Sequence, residues 1–169
     1  ENLFSKGKHK NIKNYWEISE TEVTGKLPNG WAWIRLGMLG DFYGGSTPSK
    51  NKREFWKGKI NWITPKDMKS DKINESELKI SDLALEKTRL KLIPKNSVLV
   101  VARSGILKRM LPVCINKIEC TVNQDLKALV LYYPSIVDYI QMMLKGHEKF
   151  VLQDLVKTGM TVQSLKFRE

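Results

Sequence analysis

Val98-Leu99-Val100-Val101-Ala102 is an unbroken apolar run between polar turns, Ile93-Pro94-Lys95-Asn96 before it and Arg103-Ser104-Gly105 after it. A run this short and this continuous reads as a strand buried on both faces, so a sheet must form around it. Trp31 to Leu36 alternates as a strand would, and Ile60 to Ile63, Pro112 to Ile118 and Leu126 to Tyr132 add further short strands. Phe42-Tyr43 leads into the glycine pair Gly44-Gly45. Ser81-Asp82 can cap a short helix through Glu86. After Pro134 the spacing turns helical. Ser135 is placed to cap a helix with Ile136, Tyr139, Ile140, Met143 and Leu144 on its packed stripe, ending at Gly146. Phe150, Val151, Leu155 and Val156 predict a second helix closed by Gly159, and Met160 to Phe167 a returning strand. The fold class expected is α+β, an irregular, mostly antiparallel short-stranded sheet with a few helices, mainly toward the C-terminus.

Residues 1–26 are lysine-rich and read as an N-terminal arm, and Gly25 to Gly30 is a turn cluster. Residues 27–169 read as one domain, with its packed body starting at Trp31. The chain starts at Glu1 rather than Met, the mark of a fragment or a processed chain. No stretch nears the roughly 20 apolar residues that cross a bilayer, and no basic-then-apolar leader is visible. A membrane role is not expected, and a cytoplasmic location is. Cys114 and Cys120 match neither a disulfide framework nor a zinc spacing, so free thiols in a reducing compartment and no structural metal are expected.

Lys and Arg number 29 against 18 Asp and Glu, a net charge of +11. That excess suits a polyanionic partner, nucleic acid before anionic membrane. Polar loops carry the matching chemistry. Gly44 to Ser49 combines paired glycines, able to take positive φ or approach another molecule closely, with Thr47, Ser49 and the nearby Lys50, Lys52 and Arg53. Lys66 follows the strand at Ile60–Ile63. Arg103, Ser104, Lys108 and Arg109 leave the buried strand directly. An Arg there can reach guanine O6 and N7 together, grip phosphate, or simply pair with a carboxylate. In Thr121 to Asp125, Asn123 and Gln124 can pair with adenine and Asp125 can accept from cytosine N4. Asn and Asp equally well cap their own turn. Lys157 to Gln163, with Thr161, is a further polar turn that a helix stop also explains.

For catalysis, Asp67 with Glu77 and Lys79 could hold Mg²⁺ in a nuclease. Glu77 reads as part of a solvated connector, however. Phosphate-binding glycine loops, a serine elbow, a His-Glu-x-x-His pair and a base-holding Asn/Asp-Pro-Pro-Tyr/Phe are missing. A non-specific nucleic-acid module would want exposed aromatics. Trp31, Trp33, Trp56 and Trp62 are available, but their strand contexts read as core.

Leu27 to Gly37, Gly44 to Ser49, Ile60 to Met68, Leu92 to Leu99, Arg103 to Lys108, Thr121 to Leu129 and Gly159-Met160-Thr161 with Ser164-Leu165 follow one another in an order that resembles a target recognition domain. The family is the specificity (S) subunit of type I restriction–modification systems, and the resemblance runs from about Leu27 to Phe167. It implies a non-catalytic reader of one half of a split site in double-stranded DNA. Arg103 and Lys108 would lead that contact, with Thr47, Ser49, Lys50, Lys66, Ser104, Arg109, Asn123, Gln124 and Thr161. It implies methyltransferase (M) and restriction (R) subunits as partners. S-adenosylmethionine, ATP and Mg would then belong to those partners, with no cofactor on this chain. The sequence stops at Glu169 without the spacer helix and second recognition domain that the resemblance implies for a full subunit, so half of a subunit or a truncated one is expected.

Overall fold

The computed structural model of the chain describes Ile18, Val23, residues 25–157, Gly159 and residues 162–166. The expected arm lies almost wholly outside these residues. The chain divides into two compact units, Glu1–Leu39 and Gly40–Glu169.

In the first unit, Trp31 N–H donates to the Pro28 carbonyl at 3.1 Å across a turn in which Gly30 sits at φ 84°. The strand expected from Trp31 to Leu36 does not form. Residues 31–35 are irregular and a 3₁₀ turn spans Leu36–Met38. Alternation makes a strand only where a neighbour completes the ladder, and among the described residues none pairs with this segment. Trp31 and Trp33 are therefore exposed, at 61% and 46%, against the expectation of core positions.

The second unit contains β1 (Gly40–Gly44), β2 (Ile60–Ile63), β3 (Lys72–Ile73), β4 (Leu78–Ile80), α1 (Asp82–Lys87), β5 (Val98–Val101), β6 (Arg103–Ser104) and β7 (Val113–Asn116). It continues through β8 (Cys120–Val122), β9 (Leu126–Leu131), α2 (Val137–Gly146), α3 (Glu148–Asp154), β10 (Val156–Lys157) and β11 (Gln163–Leu165). One sheet runs β1-β9-β5-β7-β3, with β5 central and every residue of it buried, as its composition demands. Two smaller sheets run β10-β11-β6 and β4-β2-β8. Pairing is antiparallel except at β2/β8 and β3/β7. The α+β class and the mostly antiparallel pairing agree with the reading of the sequence.

A core of Leu99, Val101, Ile115, Leu126 and Leu129 fills the main sheet. A second cluster packs Phe55, Trp62, Ile80, Ala84 and Leu90 together, with Ser81 capping α1 through the Ala84 N–H at 3.3 Å. Asn116 is fully buried. Its Oδ1 accepts from Ser97 N–H, and its Nδ2 donates to the Pro94 and Ile118 carbonyls, each at 2.8 Å. It thus holds the turn before β5, in which Asn96 takes φ 61°.

The helical region departs from expectation in detail. Pro134 opens a 3₁₀ turn through Ile136 that runs on into α2, so Ser135 lies inside the turn and cannot cap. α2 packs through Val137, Ile140 and Gln141, while Tyr139 faces out. The second helix ends at Asp154 rather than at Gly159, because Val156 is drawn into a strand against Leu165. Phe150 is exposed. Both cysteines are free and buried. Burial pushes the Cys114 thiol up to about 11, with Asp71 adding to the rise and Lys145 opposing it. Burial pushes Cys120 to about 12, against a hydrogen bond from Asn116.

Candidate nucleic-acid interface

Strand direction gathers the polar loops at one edge. β8 and β9 are joined there by Asn123-Gln124-Asp125. β2 runs parallel to β8, Ile63 beside Val122, so Thr64 to Asp67 leaves at the same end. β1 runs antiparallel to β9 and its last residue, Gly44, faces Lys127 near the start of β9. β5 also runs antiparallel to β9, with Val101 facing Leu126, so Arg103 and the segment after it emerge beside them. β11 then pairs Gln163 with Ser104 and Ser164 with Arg103.

The Gly44–Ser49 loop is built from below. A Cβ on Gly45 would sit 1.7 Å from the Val122 carbonyl oxygen. Neither Gly44 nor Gly45 has positive φ. The glycine at 45 therefore serves a close approach to the protein's own backbone, not the left-handed turn that the sequence allowed. Trp62 donates its indole N–H to the Ser46 carbonyl at 3.0 Å, and Trp56 donates to the Ser49 carbonyl at 3.1 Å. The two rings meet edge to face with centroids 5.0 Å apart. Thr47, Ser49 and Lys50 are left exposed on top of this support.

The 123–125 turn is the hub. Thr47 Oγ1 donates to Gln124 Oε1 at 2.6 Å, tying the first loop to it. The Asn123 side chain is buried and spent within the turn. Its Oδ1 accepts from Asp125 N–H at 3.1 Å and its Nδ2 donates to Asp125 Oδ2 at 3.0 Å. Of the two amides proposed from sequence, Gln124 is the exposed one. The Asp125 carbonyl accepts from the Ala102 and Arg103 N–H groups at 2.7 and 3.1 Å. Its Oδ1 accepts from Arg103 Nε at 3.1 Å. Each carboxylate oxygen of Asp125 thus holds one partner inside the protein.

Ser104 is half-buried and accepts from Ile106 N–H at 3.3 Å, starting a 3₁₀ turn over Gly105–Lys108. Lys108 and Arg109 project at its end and are exposed, as is Lys66 beside Pro65. Thr161 lies outside the described residues. Supporting roles for Trp56, Trp62 and Asp125 were not read from the sequence. The Asn-x-Asp spacing carries the signal for the last of them, since a side chain that caps its own turn bonds two residues on.

The rival set at Asp67 is occupied by structure. Asp67 Oδ2 accepts from Thr64 N–H and Oγ1, and Oδ1 from Glu77 N–H, all at 2.8 Å. This carboxylate closes a capping box and pins the next strand. Among the described residues no group of three or more His, Cys, Asp or Glu is placed to hold a metal.

Residues 28–164 match the family model of the type I restriction modification DNA specificity domain. The chain is 43% identical over 134 residues to the EcoR124I/EcoR124II specificity subunit of Escherichia coli, covering 79% of this chain and 33% of that protein. It is 30% identical over 160 residues to the MjaIX specificity subunit of Methanocaldococcus jannaschii, covering 92% of this chain and 36% of the relative. It spans about a third of the length of these curated relatives. In fold it is similar to the HsdS subunit of Thermoanaerobacter tengcongensis, with a TM-score of 0.56 at 16% identity over 83% of this chain and 34% of that one. A chain from a structure of type I restriction–modification complex assembly gives a TM-score of 0.51 at 19% identity, over 72% of this chain and 30% of that one. With most of its length matched, the chain belongs to the family of type I restriction–modification DNA specificity domains.

Proposed function

We propose that this chain reads one half of a bipartite site in double-stranded DNA on behalf of methyltransferase and restriction subunits, and performs no chemistry itself. The observation that carries the reading is the gathering of Thr47, Lys50, Lys66, Arg103, Lys108 and Gln124 at one edge, on loops fastened to a common turn. Lys50, Lys66, Lys108 and Arg109 set register on phosphates, a contribution that weakens with salt. Arg103, Gln124, Thr47 and Ser49 address base edges in the major groove. Asn123 and Ser104 act through the backbone that they hold. S-adenosylmethionine, ATP and Mg belong to the partner subunits in this scheme, and the chain works in the cytoplasm, where the DNA is.

The test is selection of duplexes from a randomised pool. The parent chain enriches a short half-site. Arg103→Ala flattens the preference at one base pair by about 1–3 kcal/mol, the worth of one bidentate contact. Equal enrichment by parent and variant would remove Arg103 from base readout.

A further inference from the structure

We infer that Asp125 is a positioning residue that presets Arg103 for a guanine. The inference rests on the edge being a DNA reader. A guanidinium has five N–H donors in a rigid fork. Asp125 takes the Nε donor at 3.1 Å, which leaves the terminal Nη pair as the edge directed away from the carboxylate. That pair can reach guanine O6 and N7 together.

Asp125 cannot swing aside easily. Its N–H and Oδ2 are both held by Asn123, and its carbonyl accepts from Ala102 and Arg103. Arg103 is therefore gripped at its main chain and at its Nε by a single residue 22 positions away. A free arginine would give up most of its rotamer freedom on docking. One already aligned gives up less, so the preset favours the correct base.

The side chains of the pair are 55% and 26% exposed, a setting in which an ion pair adds little to folding stability. A carboxylate beside a phosphate-facing edge also repels DNA of any sequence. These properties give the arrangement a signature that a purely structural role lacks. Removing the carboxylate should lower selectivity while raising, or leaving unchanged, affinity for unrelated DNA.

The experiment uses the half-site enriched by the parent chain and a scrambled duplex, with Asp125→Ala, Asp125→Asn, Arg103→Ala and the Asp125→Ala/Arg103→Ala double variant. Discrimination at the Arg103-dependent base pair should fall by roughly 5- to 150-fold in Arg103→Ala and the double variant, the equivalent of one bidentate contact, and by roughly 2- to 12-fold in each Asp125 single variant, the rotamer cost that the preset saves. The double variant should lose no more than Arg103→Ala alone, within about twofold, because the two residues act as one device. Replacing that guanine with 7-deazaguanine should penalise the parent more than the Asp125 variants, and Arg103→Ala not at all. Retained discrimination in both Asp125 variants would overturn the inference. So would a parallel loss of selective and scrambled binding, which would mark Asp125 as a fold residue only. A parent chain that enriches no sequence would instead overturn the DNA-reading proposal itself, and the inference with it.

Discussion

Gly45 is the residue with least freedom to change. Its missing side chain lets the first loop lie directly on the turn at Asn123, where a methyl group would meet the Val122 backbone rather than a movable side chain. Gly45→Ala must therefore push the loop off the turn. We expect a loss of about 1–3 kcal/mol in urea unfolding, as for other overpacked sites. The Thr47–Gln124 hydrogen bond should go with it, visible as a changed Gln124 side-chain amide resonance. At this scale the sequence showed which residue types could touch DNA but not which were already committed. Asn123 and Gln124 are neighbours of the same chemistry. One is buried in its own turn and the other exposed, a difference set by the β8–β9 connection rather than by either residue.

The elements divide by what supplies their stability. β5 and α1 were legible because their determinants are local: an all-apolar run, and a serine whose hydroxyl meets the third N–H after it. The segment from Trp31 to Leu36 has a strand's alternation without a pairing partner among the described residues, and it stays irregular. The Trp56–Trp62 pair shows the opposite case. Nothing local says that indole N–H groups from β2 and the 3₁₀ turn over Arg53–Trp56 will hold a loop carrying Thr47 and Ser49. Trp56→Phe keeps most of the ring and removes one N–H. It should cost about 1 kcal/mol in stability. It should also speed hydrogen exchange at Lys52 N–H, which is bonded to the Ser49 carbonyl that loses its indole. Unchanged exchange at Lys52 would mean that the loop holds its shape without the indole.

At the scale of the whole molecule, the buried thiols set an alkaline limit. Burial raises Cys114 and Cys120 to about 11 and about 12 in the folded chain, from 9.0 for the unperturbed group. Above pH 9 the unfolded chain gives up protons that the folded chain keeps, so unfolding becomes easier as pH rises. The contribution is fully present below pH 9 and is lost through the interval up to the folded values, at about 1.4 kcal/mol per pH unit for each thiol. Denaturation midpoints measured in urea from pH 8 to 10.5 should fall, and Cys120→Ala should flatten part of that fall. What the sequence by itself determined was the class of fold, the buried central strand, the basic character and the polar loops, because each depends on composition or on spacing within a few residues. The tertiary structure alone decided that loops dozens of residues apart share one edge, and that Asp125 holds Arg103. Strand order and direction are properties of long-range pairing, and no window of neighbouring residues contains them.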